Sequence, residues 1–350
     1  MHDRLAELID HIKELEEKRA ELAKKLREGG REFYPEALEK NLVHKVEPIE
    51  LNCKVAAVDG GLAAQEFHGF DLVLTRALSV IFEYKNSKRV SHSYYPSRIP
   101  EAETDALTSL DSHEFTWHKS LTRLRKEIAV ASETVEKYAP YCMLLDGSIV
   151  PQISDKPSED SPVRPLYNQL LEGYNRLYSL CEEKECQLIG VIKDSRGKRF
   201  IEILEKTLPE HEKKVLATSH DTSFLHFLLN EGERTFEFHY SSAEREHQVL
   251  KDLGAWSAKM NAVYLKPVKD DRPLRVEFLK TKKNAGEVAS LIYSLSTINQ
   301  KYAYPAILIE ADMRAAMDRT EIDRTCRNLL LRAGRRVSFL PLRRDSRPFR

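Results

Sequence analysis

The chain has 350 residues, 41% hydrophobic and 31% charged, and its 55 basic side chains balance 55 acidic ones. That length suits one large α/β domain with insertions, or two domains, and the balance excludes attraction to nucleic acid through bulk charge, so any basic surface is local. Five cysteines (Cys53, Cys142, Cys181, Cys186, Cys326) without a Cys-x-x-Cys spacing point to a reduced, cytoplasmic protein, and no apolar run approaches membrane-spanning length.

In chain order, residues 3–28 carry Leu5, Leu8, Ile9, Ile12, Leu15, Leu22 and Leu26 at helical, initially heptad-like spacing, and Gly29-Gly30 end the pattern. The helix this predicts has an apolar stripe to bury on its own domain or against a second subunit. After a linker, 55–58, 71–82 and 88–94 read as a meander of three antiparallel strands. Residues 112–139 read as one long helix stopped by Pro140, and 143–145 as a short buried strand. A mobile loop over 151–165, an amphipathic helix over 166–186 and a buried strand over 187–193 follow. Beyond these, 220–229 is helical, 235–240 a strand, 261–267 with 274–279 a strand pair around a DDRP turn, and 285–299 a helix. The apolar stretch 304–309 reads as strand-like and leads into a helix over 310–333, followed by an Arg-rich tail.

Two places carry chemistry. In YCMLLDGSIVP (141–151) an apolar run stops at Asp146-Gly147, and in VAAVDGG (55–61) a small-residue strand ends at Asp59-Gly60. Asp-Gly alone is a common turn dipeptide. Two of them after apolar strands predict two carboxylates at one sheet edge, and like charges gather there only around a cation or a shared proton. Three antiparallel strands, helix, strand, helix, strand is the order of an RNase H-like sheet. In that sheet the first and fourth strands, here those of Asp59 and Asp146, lie side by side.

With these residues in place the chain resembles the NurA nuclease family from residue 55 to about 316. The resemblance rests on AVDGG (57–61), LLDGS (144–148), GVIKDSR (190–196), the VYLK…RVEF pair (263–278) and YPAILIEADMRAAM (304–317). It implies an α/β fold with an RNase H-like mixed sheet flanked by helices, an N-terminal helix and an inserted α+β region. The implied division is an N-terminal arm and linker (1–50), a nuclease domain (51–333, insertion about 197–283) and a basic tail (334–350). It further implies a Mn²⁺- or Mg²⁺-dependent DNA nuclease, exonuclease or also single-strand endonuclease. Such a protein would be a homodimer that processes DNA ends for recombinational repair beside a HerA-type helicase-translocase. Two departures stand out: Gly61 where Asp-Gly-Ser is common, and Asp312 where archaeal members tend to carry histidine.

Two divalent ions would activate water and neutralise charge on the phosphate and the leaving oxygen. Asp59 and Asp146 are oxygen ligands for such ions. Glu127, one helical turn after Arg123 and at the distance from Asp146 that the resemblance implies for a helical glutamate, is the helical carboxylate of choice, with Glu133 and Glu114 as rivals and a solvated helix surface as the plain reading. Asp312 is the fourth ligand, its plain alternative an acid at a helix start. Lys193 neutralises the scissile phosphate or orients a ligand, or makes an ordinary salt bridge. Arg196, Lys198 and Arg199 suit phosphate contacts. His220 with Asp221 suggests a general base, or equally a helix-capping Asp beside a surface His, and His113 and His118 read as structural or exposed helix histidines. The rival functions are an actin- or sugar-kinase-type ATP-using protein and a catalytically silent scaffold that clamps DNA or a motor.

Overall fold

The N-terminal helix α1 (His2–Glu28) forms where its periodicity predicts, but its apolar stripe divides. Leu22, Ala23 and Leu26 are buried, whereas Leu5, Leu8, Ile9 and Ile12 are 43–55% exposed. The computed structural model describes residues 2–29, 34–108, 110–243, 247–334, 337–340 and 342–343. Gly30 of the predicted helix stop and most of the Arg-rich tail lie outside the described residues.

A short strand, β1 (Val43–Lys45), occupies the predicted linker. It precedes β2 (Lys54–Glu66), β3 (Asp71–Lys85) and β4 (Lys88–Tyr95). β2 does not stop at Asp59-Gly60, as the turn signal suggested. β3 pairs with it along its whole length, from Lys54↔Glu83 to Glu66↔Asp71, so Asp59 sits inside a strand. An unpredicted strand, β5 (Glu103–Leu107), pairs with β3. α2 (Ser112–Tyr138) opens on a capping box between Asp111 and Glu114 and closes at Ala139 in the left-handed region.

β6 (Cys142–Asp146), α3 (Arg164–Glu183) and β7 (Gln187–Ile192) follow. The segment between β6 and α3 is anchored to α2, since Ser120 Oγ donates to Asp155 Oδ1 at 2.7 Å and Trp117 Nε1 to the Ser154 carbonyl at 2.9 Å. Three short helices come next, α4 (Arg199–Glu205), α5 (Glu210–Leu216) and α6 (Asp221–Leu228). They form with Leu22, Ala23 and Leu26 a core that includes Phe200, Phe224 and Phe236.

The strand read over 235–240 is two, β8 (Glu233–Thr235) and β9 (Phe238–His239), both on β10 (Met260–Lys266). β11 (Leu274–Leu279) pairs with β10 and with β7. α7 (Ala285–Ser296), α8 (Ala306–Ala315) and α9 (Arg319–Ala333) complete the chain. The predicted strand-like stretch 304–309 and single helix 310–333 are therefore wrong. Pro305 starts α8, whose Ile307, Leu308, Ala311 and Ala315 share the face turned to the core, and the chain breaks before Asp318 caps α9.

All strands join one mixed sheet of order β1-β8-β10-β11-β7-β6-β2-β3-β4, with β5 beside β3 and β9 beside β10. β2, β6 and β7 are parallel neighbours, the RNase H-like placement expected. Both faces of this centre are covered, which is why its strands read as unbroken apolar runs. Val55, Ala57, Leu144 and Val191 face α7 and α8, while Ala56, Val58, Met143 and Leu145 face α2 and α3.

Candidate active site

The β2–β6 ladder runs from Val55↔Cys142 to Val58↔Leu145, so the next residues, Asp59 and Asp146, stand side by side on the α8 face. β6 ends there while β2 continues to Glu66, leaving a notch at the sheet's centre. Gly147, at φ +129°, turns the chain away in a conformation that favours glycine. On the other side of β6, Asp146 pairs with Val191, and Lys193 lies two residues further along the same face. Lys193 Nζ is 3.0 Å from Asp146 Oδ2 and 4.4 Å from the Tyr304 ring centre. The Tyr304 hydroxyl donates between Asp146 Oδ1 at 2.8 Å and the Val191 carbonyl at 3.0 Å.

Glu127 reaches the notch from the opposite layer. It extends from α2 past Gly60, where a Cβ would fall 2.6 Å from its Cγ. It is buried and paired with Arg123 at 2.5 Å. Its rivals have other partners: Glu133 accepts from the Tyr95 hydroxyl at 2.9 Å, and Glu114 belongs to the α2 cap. A cavity of about 240 Å³ opens here, lined by Arg123, Glu127, Asp146, Ser148 and Tyr174.

Asp312 is exposed and lies in the last turns of α8, not at a helix start, so the helix-start reading does not apply. Its charge is felt by both Asp59 and Lys193. The five predicted residues thus meet in one electrostatic neighbourhood fed by both helical layers.

Burial, then Asp146 and Asp312, push the Asp59 carboxyl up to about 7 despite the Gly60 N–H that donates to it at 2.7 Å. Burial pushes Glu127 up to about 8; Arg123 opposes this and Asp59 and Asp146 add to it, so the ion pair does not prevail. Burial alone would lower Lys193, yet its bond to Asp146 leaves it raised. Burial and then Asp146 raise the Tyr304 hydroxyl well above its ordinary value.

This donor set fits a hard divalent cation, being all oxygen and carboxylate-rich, with a repulsion that such an ion relieves. Among the described residues no three Asp, Glu, His or Cys side chains already stand close enough to hold one. Instead Glu127 is held by Arg123, and Asp146 by Lys193 and Tyr304.

A wider cleft of about 810 Å³ adjoins the cavity, sharing Ser148 and Gln152. Arg196 is exposed on its wall. Lys198 donates to the Ala217 carbonyl at 2.9 Å, and Arg199 is buried against Glu36, so Arg199 is not a phosphate contact. Asp221 is fully buried and accepts from Phe200 N, Ile201 N and the Tyr264 hydroxyl, a structural role. His220 caps that helix, its backbone N–H donating to Ser223 Oγ at 3.1 Å, and His113 is exposed. Sequence reasoning missed Tyr304 and the buried Ser148–Glu277–Arg275 chain, in which Ser148 Oγ donates to Glu277 at 2.6 Å and Arg275 Nε at 2.7 Å. The one available signal was Arg275 and Glu277 inside an otherwise apolar strand.

A family profile described as the NurA domain matches residues 53–317. The NurA nuclease from Sulfolobus solfataricus superposes with a TM-score of 0.58 at 18% identity, covering 95% of this chain and 97% of that one. A NurA structure bound to dAMP and manganese gives 0.56 at 10% identity, over 97% of this chain and 98% of the other. A NurA structure with manganese gives 0.53 at 11%, over 85% and 92%. No curated protein matches the chain. At these identities the likeness to the solved structures is one of fold.

Proposed function

The chain belongs to the NurA family of metal-dependent DNA nucleases, and from that premise we propose that the notch between β2 and β6 is its catalytic centre. The observation that carries the reading is the side-by-side placement of Asp59 and Asp146, with Glu127 arriving through the gap at Gly60. Asp59, Asp146, Glu127 and Asp312 would hold two Mn²⁺ or Mg²⁺ ions. Such ions supply a nucleophile at neutral pH and stabilise charge on the phosphate and the leaving oxygen. Lys193 and Tyr304 orient Asp146, and Lys193 offers a positive charge to the phosphate. Arg123 holds Glu127 ready at the cavity wall. Arg196 on the adjoining cleft suits the DNA backbone.

End-labelled DNA incubated with the purified protein should be cut with Mn²⁺ or Mg²⁺ and left intact with a chelator. Intact DNA under every metal would favour the scaffold reading, and ATP binding by the protein alone would favour the kinase-like one. The family likeness extends the reading to DNA-end processing for recombinational repair beside a HerA-type helicase-translocase in the cytoplasm. No helix among the described residues is long and apolar enough to cross a membrane. In this reading 51–333 is the nuclease unit, with 197–283 as its insertion, 1–50 an arm and 334–350 a basic tail.

The arm has an unpartnered stripe, Leu5, Leu8, Ile9 and Ile12, and we assign it to contact with a second copy of the chain. Light scattering should report a dimer that weakens when residues 1–30 are removed. A monomer at working concentration, or a truncated chain that dimerises as before, would count against the assignment.

A further inference from the structure

We propose that Arg76 is a positioning residue that sets Asp312 in the metal centre; the inference rests on the reading of Asp312 as a ligand. Arg76 lies in β3 among buried apolar residues and is 4% exposed. A guanidinium there needs several acceptors, since a buried charge without partners is very costly. It finds them at the end of α8, where the last carbonyls of a helix have no donors of their own. Arg76 Nε donates to the Ala315 carbonyl at 3.1 Å and Nη2 to the Ala316 carbonyl at 3.0 Å. Nη1 reaches the Pro100 carbonyl at 3.5 Å, and Nη2 also pairs with Glu321 of α9.

The link to Asp312 runs through Ala316, whose N–H donates to the Asp312 carbonyl at 2.8 Å. Arg76 therefore grips the residue that closes the last helical bond of the proposed ligand. Its cross-strand partner is Gly61. A Cβ at Gly61 would lie 1.8 Å from the same Ala315 carbonyl oxygen. One strand removes bulk and the other supplies donors, so the pair forms a socket for the helix end. The missing hydroxyl at position 61 is accounted for by this contact. A purely structural tie between sheet and helix is the competing account, and metal affinity separates the two.

The test is Mn²⁺ binding to the full-length chain without DNA, followed by electron paramagnetic resonance of the free ion. Arg76→Gln should weaken Mn²⁺ binding by about tenfold, as loss of a ligand's supporting partner does, and Arg76→Lys by less. Asp312→Asn should also weaken it, and adding Arg76→Gln to Asp312→Asn should then change affinity little, because both act through one ligand. Unchanged affinity in a folded Arg76→Gln protein, or effects that simply add, would overturn the positioning role while leaving the ligand reading in place. Unchanged affinity in Asp312→Asn would overturn the ligand reading and the inference with it. Should Arg76→Gln not fold, Glu321→Ala frees the outer side of the guanidinium and should weaken binding by about threefold, again only while Asp312 is present. No change in Glu321→Ala would then sink the proposal.

Discussion

Asp59→Asn and Asp146→Asn should each lower DNA cleavage at saturating Mn²⁺ by on the order of a thousandfold, with far-ultraviolet circular dichroism unchanged. Asparagine keeps the size of the side chain and removes the ligand charge. The ions are asked to supply several kcal/mol of transition-state stabilisation, and losing about 4 kcal/mol corresponds to roughly a thousandfold. The fold should survive because Asp59 has no charged partner of opposite sign within hydrogen-bond reach among the described residues, and an asparagine at 146 still offers Oδ1 to the Tyr304 hydroxyl. Asp59 is buried beside like charges and, among the described residues, accepts from the Gly60 N–H, its own neighbour in sequence. Asp146→Asn loses the Lys193 pair, which is partly exposed and of modest worth. Near-normal cleavage by either variant would rule out the paired-carboxylate centre.

The same crowding predicts how the metal-free protein responds to pH. In the folded state the Asp59 carboxyl is held at about 7 by burial and then Asp146, against 3.8 ordinarily. Glu127 is held at about 8 by burial, with Arg123 opposing and Asp59 adding, against 4.5. A carboxyl whose folded value lies above its unfolded one binds its proton more tightly when folded. The stability this confers is full below the unfolded value and is lost as pH rises through the folded value. Melting temperature in chelator should therefore fall between about pH 4 and pH 8. A shift of about three units is worth ~4 kcal/mol, a ceiling for a pair that share one repulsion. Asp59→Asn and Glu127→Gln should each flatten the fall, and Mn²⁺ should restore the wild-type protein at pH 8 by binding the folded state. An identical fall in wild type and both variants would show that these carboxyls do not carry it.

Much of this centre was legible because its signals are local. VAAVDGG and MLLDGS couple an apolar run to an acid, and a buried parallel strand leaves that trace. Glu127 was singled out by Arg123 four residues before it, which is its ion pair, and by the family's spacing from helical glutamate to Asp146. What failed was decided by partners distant in sequence. Asp59-Gly60-Gly61 looks like a turn, yet thirteen residues of pairing with β3 hold it extended. The β-branched AILIE looks like a strand, but Pro305 and the spacing of Ile307, Leu308, Ala311 and Ala315 make it a helix. β1, β5, β8 and β9 are short strands with little alternation to read. Tyr304 opens a motif that carries the resemblance, but its contact with Asp146 joins residues 158 apart and could not be read from that motif.

Gly60 and Gly61 are neighbours of the same type, yet a side chain at each would meet different obstacles. A methyl at Gly60 meets the Glu127 side chain from Cγ to Oε1, so room for it comes only by moving that carboxylate. A methyl at Gly61 meets a main-chain carbonyl, which no rotamer change can move. A serine at 61 therefore requires a helix seated farther from the strand. The residue at 61 and the depth of that helix are thus coupled by packing, while the residue at 60 is coupled to the placement of Glu127.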